Sequence, residues 1–384
     1  MRIVVVGGGV IGLLTAVECV RAGARVDLVD RAAIPAPLAT SNDRYRVVRA
    51  LHRGDPVLTL AGARGRQGWA EVERLLGGQF WRRTGALTIM PAGDVPASLD
   101  LLAAAGVAAQ AVPAATLAEK YPQLRLVGGR SAVYEPGAGA VLAAGALAAL
   151  AGWLAGQPAA TLRPGHRVTA LDEDGGVHMA DGSVLAADAV AAAPGPWSRD
   201  LLPADAAGRL TLLRQTMLSY TPAPSSRAWT GLPAVLGMGH GSDAWLMPPA
   251  AGPSARLSAA SACRPVSTLA GRATPAHWRD HLVSRFSVLL ADFDPARVTG
   301  AADSYYLSDQ SGLGPRLARL GDGAVWAYPA CGGMSFKIAP LVAGALADRV
   351  LGRPPRPTGL DSIDRPWQLD GRAREGRHDE AART

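Results

Sequence analysis

The sequence predicts an α/β (α+β) fold, with α/β character at both ends of the chain and a mostly β middle. Three observations predict it. A β-branched run at residues 2–6 breaks into glycines and then an apolar helix. Buried-strand patterns ending in glycine turns recur near residues 190 and 325. Between them, residues 209–262 alternate strand-like runs with Pro and Gly turns. Alternating strand and helix periods of this kind indicate parallel sheet, and the middle stretch is where a second domain belongs.

Taken in order, residues 2–6 read as a buried parallel strand and Gly7-Gly8-Gly9 cannot continue it. Residues 10–22 fit a helix with Ile11, Leu14 and Val17 on one face, stopped by Gly23. Residues 24–30 form a second strand, and residues 35–44 a polar loop. A helix is expected over 56–76, a strand over 82–90, two short helices within 94–120 and a helix over 141–155. Short strands follow around 167–170, 176–179 and 182–185, then a buried strand over 187–193 ended by Pro194-Gly195-Pro196-Trp197. An amphipathic helix spans 275–293, with Trp278, Leu282, Phe286 and Leu289 in register. Residues 324–328 form a late strand, followed by a glycine-rich turn and a helix over 340–351. Residues 366–384 are expected to be a disordered tail.

Composition excludes several classes. Of 384 residues, 48% are hydrophobic and 18% charged, which suits a packed core and not a disordered chain. The net charge of +7 invites a nucleic-acid reading, but the arginines are scattered with no basic run, so no nucleic-acid partner is expected. The basic residues are almost all Arg; the two lysines are Lys120 and Lys337. Cys19, Cys263 and Cys331 are odd in number and far apart, which argues against a disulfide framework or a CxxC metal site and for a reducing, cytoplasmic setting. No membrane span, signal peptide or metal site is expected. The oligomeric state stays open, with a monomer compatible.

The chemistry concentrates in Gly7-Gly8-Gly9-Val10-Ile11-Gly12, a GxGxxG set between strand and helix. Gly7 permits the tight turn, Gly9 lets a pyrophosphate approach the backbone at the helix N-terminus, and Gly12 lets the helix pack on the strand. Asp30, ending the second strand 21 residues after Gly9, can accept from a ribose hydroxyl. An acid there favours FAD or NAD over NADP. The late turn Gly332-Gly333-Met334-Ser335-Phe336-Lys337, opening another helix, favours FAD, because a simple two-lobe nicotinamide dehydrogenase has no need of it.

Beyond these motifs the chain resembles the glycine/D-amino-acid oxidase superfamily of flavoproteins, nearest to the monomeric sarcosine oxidases. Three segments carry the resemblance: Tyr45-Arg46-Val47-Val48-Arg49, Ala192-Ala193-Pro194-Gly195-Pro196-Trp197-Ser198 and Cys331 to Lys337. It implies a Rossmann-like FAD-binding domain (1–80, 140–206 and 299–365) and a mixed-sheet substrate domain (81–139 and 207–298). It extends the expected cofactor contacts to Arg31, Ser41, Arg46, Val168, Gly195, Trp197, Gly332, Gly333, Met334 and Lys337, and implies that Arg49 and Lys337 bind a substrate carboxylate. Arg256 falls where the family has a lysine above the flavin that promotes reaction with dioxygen. Ser304 falls where sarcosine oxidases have the cysteine that bonds the flavin, so noncovalent FAD is expected. Cys331 reads as a small buried residue.

The reaction so implied is oxidation of the C–N bond of an amine or N-alkyl amino acid to an imine by hydride transfer to FAD, with O2 reoxidising the flavin and giving H2O2. A biosynthetic tailoring role suits Ala259 and Ala260, small residues where sarcosine oxidases have Tyr and His. The alternatives are a flavin dehydrogenase using another acceptor, for which Arg256 speaks, and a flavin-binding protein without turnover.

Overall fold

The computed structural model describes residues 1–224, 226, 229–310, 315–321, 323–330 and 332–369. The chain divides into two compact units, one of Met1–Asn42, Leu147–Leu212 and the residues from Tyr306 onward, the other of Asp43–Ala146 and Leu213–Tyr305.

The first unit is built on a seven-stranded sheet. From one edge to the other its strands are Trp367–Leu369, Arg316–Leu320, Val325–Ala330, Ala189–Ala192, Arg2–Val6, Arg25–Val29 and Ala160–Arg163. The last five are mutually parallel, each paired to its neighbour. Their burial follows from composition: Ile3, Val4, Val5, Val190 and Ala191 are fully shielded, as expected of strands covered on both faces. In chain order the five run 3-2-1-4-5. The winding therefore reverses at Arg2–Val6, and open α/β sheets bind ligands outside the carboxyl ends of strands at such a reversal. Helices Val10–Arg21 and Ala339–Val350 pack on one another. A small antiparallel sheet, Val168–Leu171, Gly176–Met179 and Val184–Ala186, completes the unit.

One expectation changes here. Trp367–Leu369 pairs in parallel with Arg316–Leu320, so residues 367–369 belong to the sheet and not to a tail. The apolar Trp367 and Leu369, both buried, carry that strand into the core. Residues 370–384 of the expected tail, and Cys331, lie outside the described residues.

The second unit contains most of a nine-stranded mixed sheet. Ala234–Met238 runs parallel to Ala86–Pro91, and antiparallel pairs flank that junction. Helix Ala276–Leu289 lays Leu282 and Phe286, both fully buried, on the apolar cluster of this sheet. A three-stranded sheet joins Arg46–Val48, Gly139–Val141 and Trp81–Arg82. Helix Pro56–Leu76 starts at Asp55, whose Oδ1 accepts the Leu58 N–H at 2.8 Å, and stops at Gly77 with φ 61°. No helix among the described residues is long and apolar enough to cross a membrane.

Candidate active site

Parallel pairing brings several expected residues to one edge of the first unit's sheet. The carboxyl ends of its parallel strands lead into Gly7 to Gly9, Asp30 and Arg31, the turn holding Gly195 and Trp197, and the turn 332–337. The strand Ala160–Arg163 ends there too, and Gly165 and His166 donate their N–H groups to the carbonyls of Ala32 and Asp30. The chain then turns into the strand that begins at Val168.

Within this edge the glycines divide by what constrains them. A Cβ on Gly7, whose φ is 109°, would collide with the Ala193 carbonyl; one on Gly12 would collide with the Gly7 carbonyl. Both are required by chain packing alone. Gly9 differs. Its φ of −86° suits any residue, and a Cβ there would come no nearer than 3.4 Å to the chain, at Ser41 Oγ. Nothing in the protein demands a glycine at this N-cap, so the open surface fits a group from outside, such as a pyrophosphate. The helix Val10–Arg21 has no side-chain cap from Gly9, while Ser41 Oγ accepts the Val10 N–H at 3.1 Å. Its first turn points amide groups and the positive end of its dipole toward this space.

Asp30 does more than the sequence reading assigned it. Its Oδ2 accepts the Gly8 N–H at 2.6 Å and its Oδ1 accepts the Ala32 N–H at 2.8 Å, which ties the glycine loop to the neighbouring strand. Burial pushes this carboxyl up, against the two amide bonds and Arg31. A carboxylate offers about four lone-pair sites, so it can still accept from a ribose. The Arg31 guanidinium lies over the Trp197 ring, 5.2 Å from its centroid. In the late turn, Ser335 and Lys337 donate backbone N–H groups to Gly332 and Met334, and the Tyr328 and Ser335 hydroxyls meet at 2.7 Å. Gly333 is exposed and Lys337 is buried.

The second unit holds Arg46, Arg49 and Arg256. Arg256, on the strand Ala255–Ala259, is 8% exposed. Its Nη2 donates to both oxygens of Asp43 at 3.0 and 3.1 Å, and its Nη1 to Ser219 Oγ at 2.7 Å. Arg46 reaches the same carboxylate at 3.6 Å. Burial alone would raise the Asp43 carboxyl, but Arg46 and Arg256 hold it below the usual carboxylate range. Arg256 is thus a paired cation, and its partner Asp43 is a candidate-site residue that the sequence reading missed; the only sequence signal was an acid three residues before Arg46.

Arg49 follows the strand Arg46–Val48. It is partly buried, and its Nη1 is shielded from solvent with no hydrogen-bond partner. Burial lowers its pKa, with Glu135 acting in the opposite sense. Ser304 is buried at 8% exposure on the strand Val298–Asp309, beside Asp303, which binds Arg214 and Arg264.

A glycine loop at the reversal point of a 3-2-1-4-5 sheet, opening a helix without a side-chain cap from Gly9, defines a dinucleotide-binding protein. Residues 2–349 match the FAD dependent oxidoreductase family, and the chain belongs to that family. A Caenorhabditis elegans protein named "Putative sarcosine oxidase" is 25% identical over 141 residues, so the match spans 37% of this chain and about a third (36%) of that relative. Among solved structures, NikD, an unusual amino acid oxidase essential for nikkomycin biosynthesis, superposes with a TM-score of 0.77 at 21% identity, over 95% of this chain and 97% of its own. Glycine oxidase from Geobacillus kaustophilus gives 0.74 at 20% identity, over 92% and 95%. A modified fructosyl peptide oxidase from Aspergillus nidulans gives 0.78 at 16%, over 97% and 94%. These likenesses establish the sarcosine-oxidase type of α/β fold that the sequence predicts.

Proposed function

We propose that the chain oxidises the C–N bond of an amine bearing a carboxylate, an amino acid or N-alkyl amino acid, to the imine. The observation that carries this reading is the shielded, unpartnered Nη1 of Arg49. A buried guanidinium donor without an acceptor is costly, and a carboxylate is the planar anion it fits best. Bound FAD supplies hydride acceptance from the substrate carbon and onward passage of two electrons. The chain's residues do the rest. Arg49 binds the carboxylate and so fixes which carbon is presented. Gly9 and the first turn of Val10–Arg21 would receive the pyrophosphate, Asp30 would accept from the ribose, and Arg31, Ser41, Arg46, Val168, Gly195, Trp197 and the turn Gly332 to Lys337 would complete the cofactor contacts. Attachment is noncovalent, since Ser304 offers a hydroxyl and not a thiolate.

Dioxygen is the leading acceptor, with H2O2 as product. The Asp43–Arg256 pair is the one observation favouring another acceptor, because it offsets the cation that would draw electrons toward dioxygen. A biosynthetic tailoring role rests only on the small side chains of Ala259, which is buried in the core, and Ala260, which is exposed. The test is the visible spectrum of the purified protein followed by peroxide assay over a panel of amines and amino acids. A flavin spectrum with peroxide released from amino acids supports the reading; a flavin spectrum that no amine bleaches, with or without added acceptor, overturns it.

A further inference from the structure

We infer that Glu135 is a positioning residue for Arg49: its carboxylate fixes the backbone that carries the anion-binding guanidinium while leaving that guanidinium unneutralised. The inference rests on the reading of Arg49 as a carboxylate receptor. Glu135 ends the strand Arg130–Glu135 and is 2% exposed. A buried carboxylate is expensive unless it is hydrogen-bonded or paired with a cation. Here Oε2 accepts the Ala50 N–H at 2.8 Å and Oε1 the Leu51 N–H at 3.2 Å, the two amides immediately after Arg49.

The segment is held from other sides as well. Upstream, Val47 and Val48 register with Ala140 and Gly139. Downstream, the His52 N–H reaches Thr59 Oγ1 at 3.0 Å. Across from it, Gly62 of the helix Pro56–Leu76 lies so close that a Cβ there would stand 2.9 Å from the Arg49 carbonyl oxygen. Arg49 therefore projects from a backbone with little freedom. Glu135 is the negative charge near it, yet both its oxygens are engaged by amides, and Arg49 Nη1 keeps no hydrogen-bond partner. A direct Glu–Arg pair would have consumed the fork a ligand needs. Held by the two amides, the Glu135 carboxylate favours the Arg49 cation through its charge and leaves Nη1 available.

The test is a double-mutant cycle on the FAD-loaded protein, read by calorimetric titration with benzoate and its neutral isostere benzamide. Glu135→Gln keeps the shape but replaces one acceptor with a donor facing an amide. Expected is a rise in the benzoate Kd of about tenfold or more, with benzamide changed less than about twofold, since a tenfold change is about 1.4 kcal/mol. Arg49→Met should match it, and the double variant should be no worse than Arg49→Met alone. Glu135→Asp, which keeps the charge, should recover part of the discrimination and provides the same comparison if Glu135→Gln does not fold. Equal loss of both ligands, or effects of the two substitutions that simply add, would show Glu135 to be structural only, with Arg49 still the receptor. An unchanged benzoate Kd in Arg49→Met removes the receptor reading, and this inference with it.

Discussion

At the scale of single residues, charge placement decides chemistry. Arg49 and Arg256 are both guanidinium groups within the second unit, yet they are not equivalent. Arg256 is held by Asp43 and Ser219, whereas Arg49 Nη1 is shielded and unpartnered. Losing a charge-assisted bond costs about 1.5–3 kcal/mol. Arg49→Met should therefore lower kcat/KM for amino acids roughly ten- to a hundredfold, and much less for amines lacking a carboxylate. Steady-state assay of the matched pair checks this. Asp43 gives a pH prediction. Its folded pKa is depressed, so its contribution to stability is complete above the unfolded carboxylate value of about 3.9 and is lost as pH falls through the lower folded value. The Tm gap between the protein and Asp43→Asn should be widest near neutrality and shrink with acid below about pH 4. A gap that widens on acidification contradicts the assignment. The sequence displays Arg49 and Arg256 but cannot show which is paired, because Asp43 lies 213 positions from Arg256 and Glu135 some 85 from Ala50.

At the scale of elements, the turn from the first strand into the helix Val10–Arg21 separates folding from binding. Gly12→Ala forces a methyl into the Gly7 carbonyl, a misfit expected to cost about 1–3 kcal/mol. Gly9→Ala meets no such obstacle, and an alanine N-cap should cost no more than about 1 kcal/mol. Yet its methyl occupies the surface a pyrophosphate would approach. Urea unfolding of the apoproteins should rank Gly12→Ala well below Gly9→Ala, while Gly9→Ala should still raise the FAD Kd about tenfold or more. Equal FAD affinity in Gly9→Ala would remove the pyrophosphate from that surface. This element was readable in advance because strand, loop and helix are contiguous, and each period shows within about thirty residues. The helix 56–76 is readable for the same reason, from the apolar spacing of Trp69, Val72, Leu75 and Leu76; its Asp55 cap and Gly77 stop come from the structure. The strand Trp367–Leu369 was not: three residues carry no period, and their pairing with Arg316–Leu320 is remote.

For the whole molecule, family membership fixes the cofactor as FAD, and the chain's own residues bear on how FAD is held and what is oxidised. Ser304 predicts that acid precipitation leaves a colourless pellet and a yellow supernatant; flavin retained by the pellet would contradict noncovalent attachment. The 3-2-1-4-5 order was implicit in the sequence only as alternating strands and helices, since three of its four parallel pairings join strands more than a hundred residues apart. The central claim is that an amine is chosen by its carboxylate. Its most direct test is anaerobic titration of the flavin-loaded protein, following visible absorbance, with N-methyl amino acids and with the same amines lacking the carboxylate. The flavin should be bleached by one or more of the acids, and at least about tenfold more weakly or slowly by the decarboxylated partner, as loss of one charge-assisted bond requires. Equal bleaching by both members of every pair would contradict it.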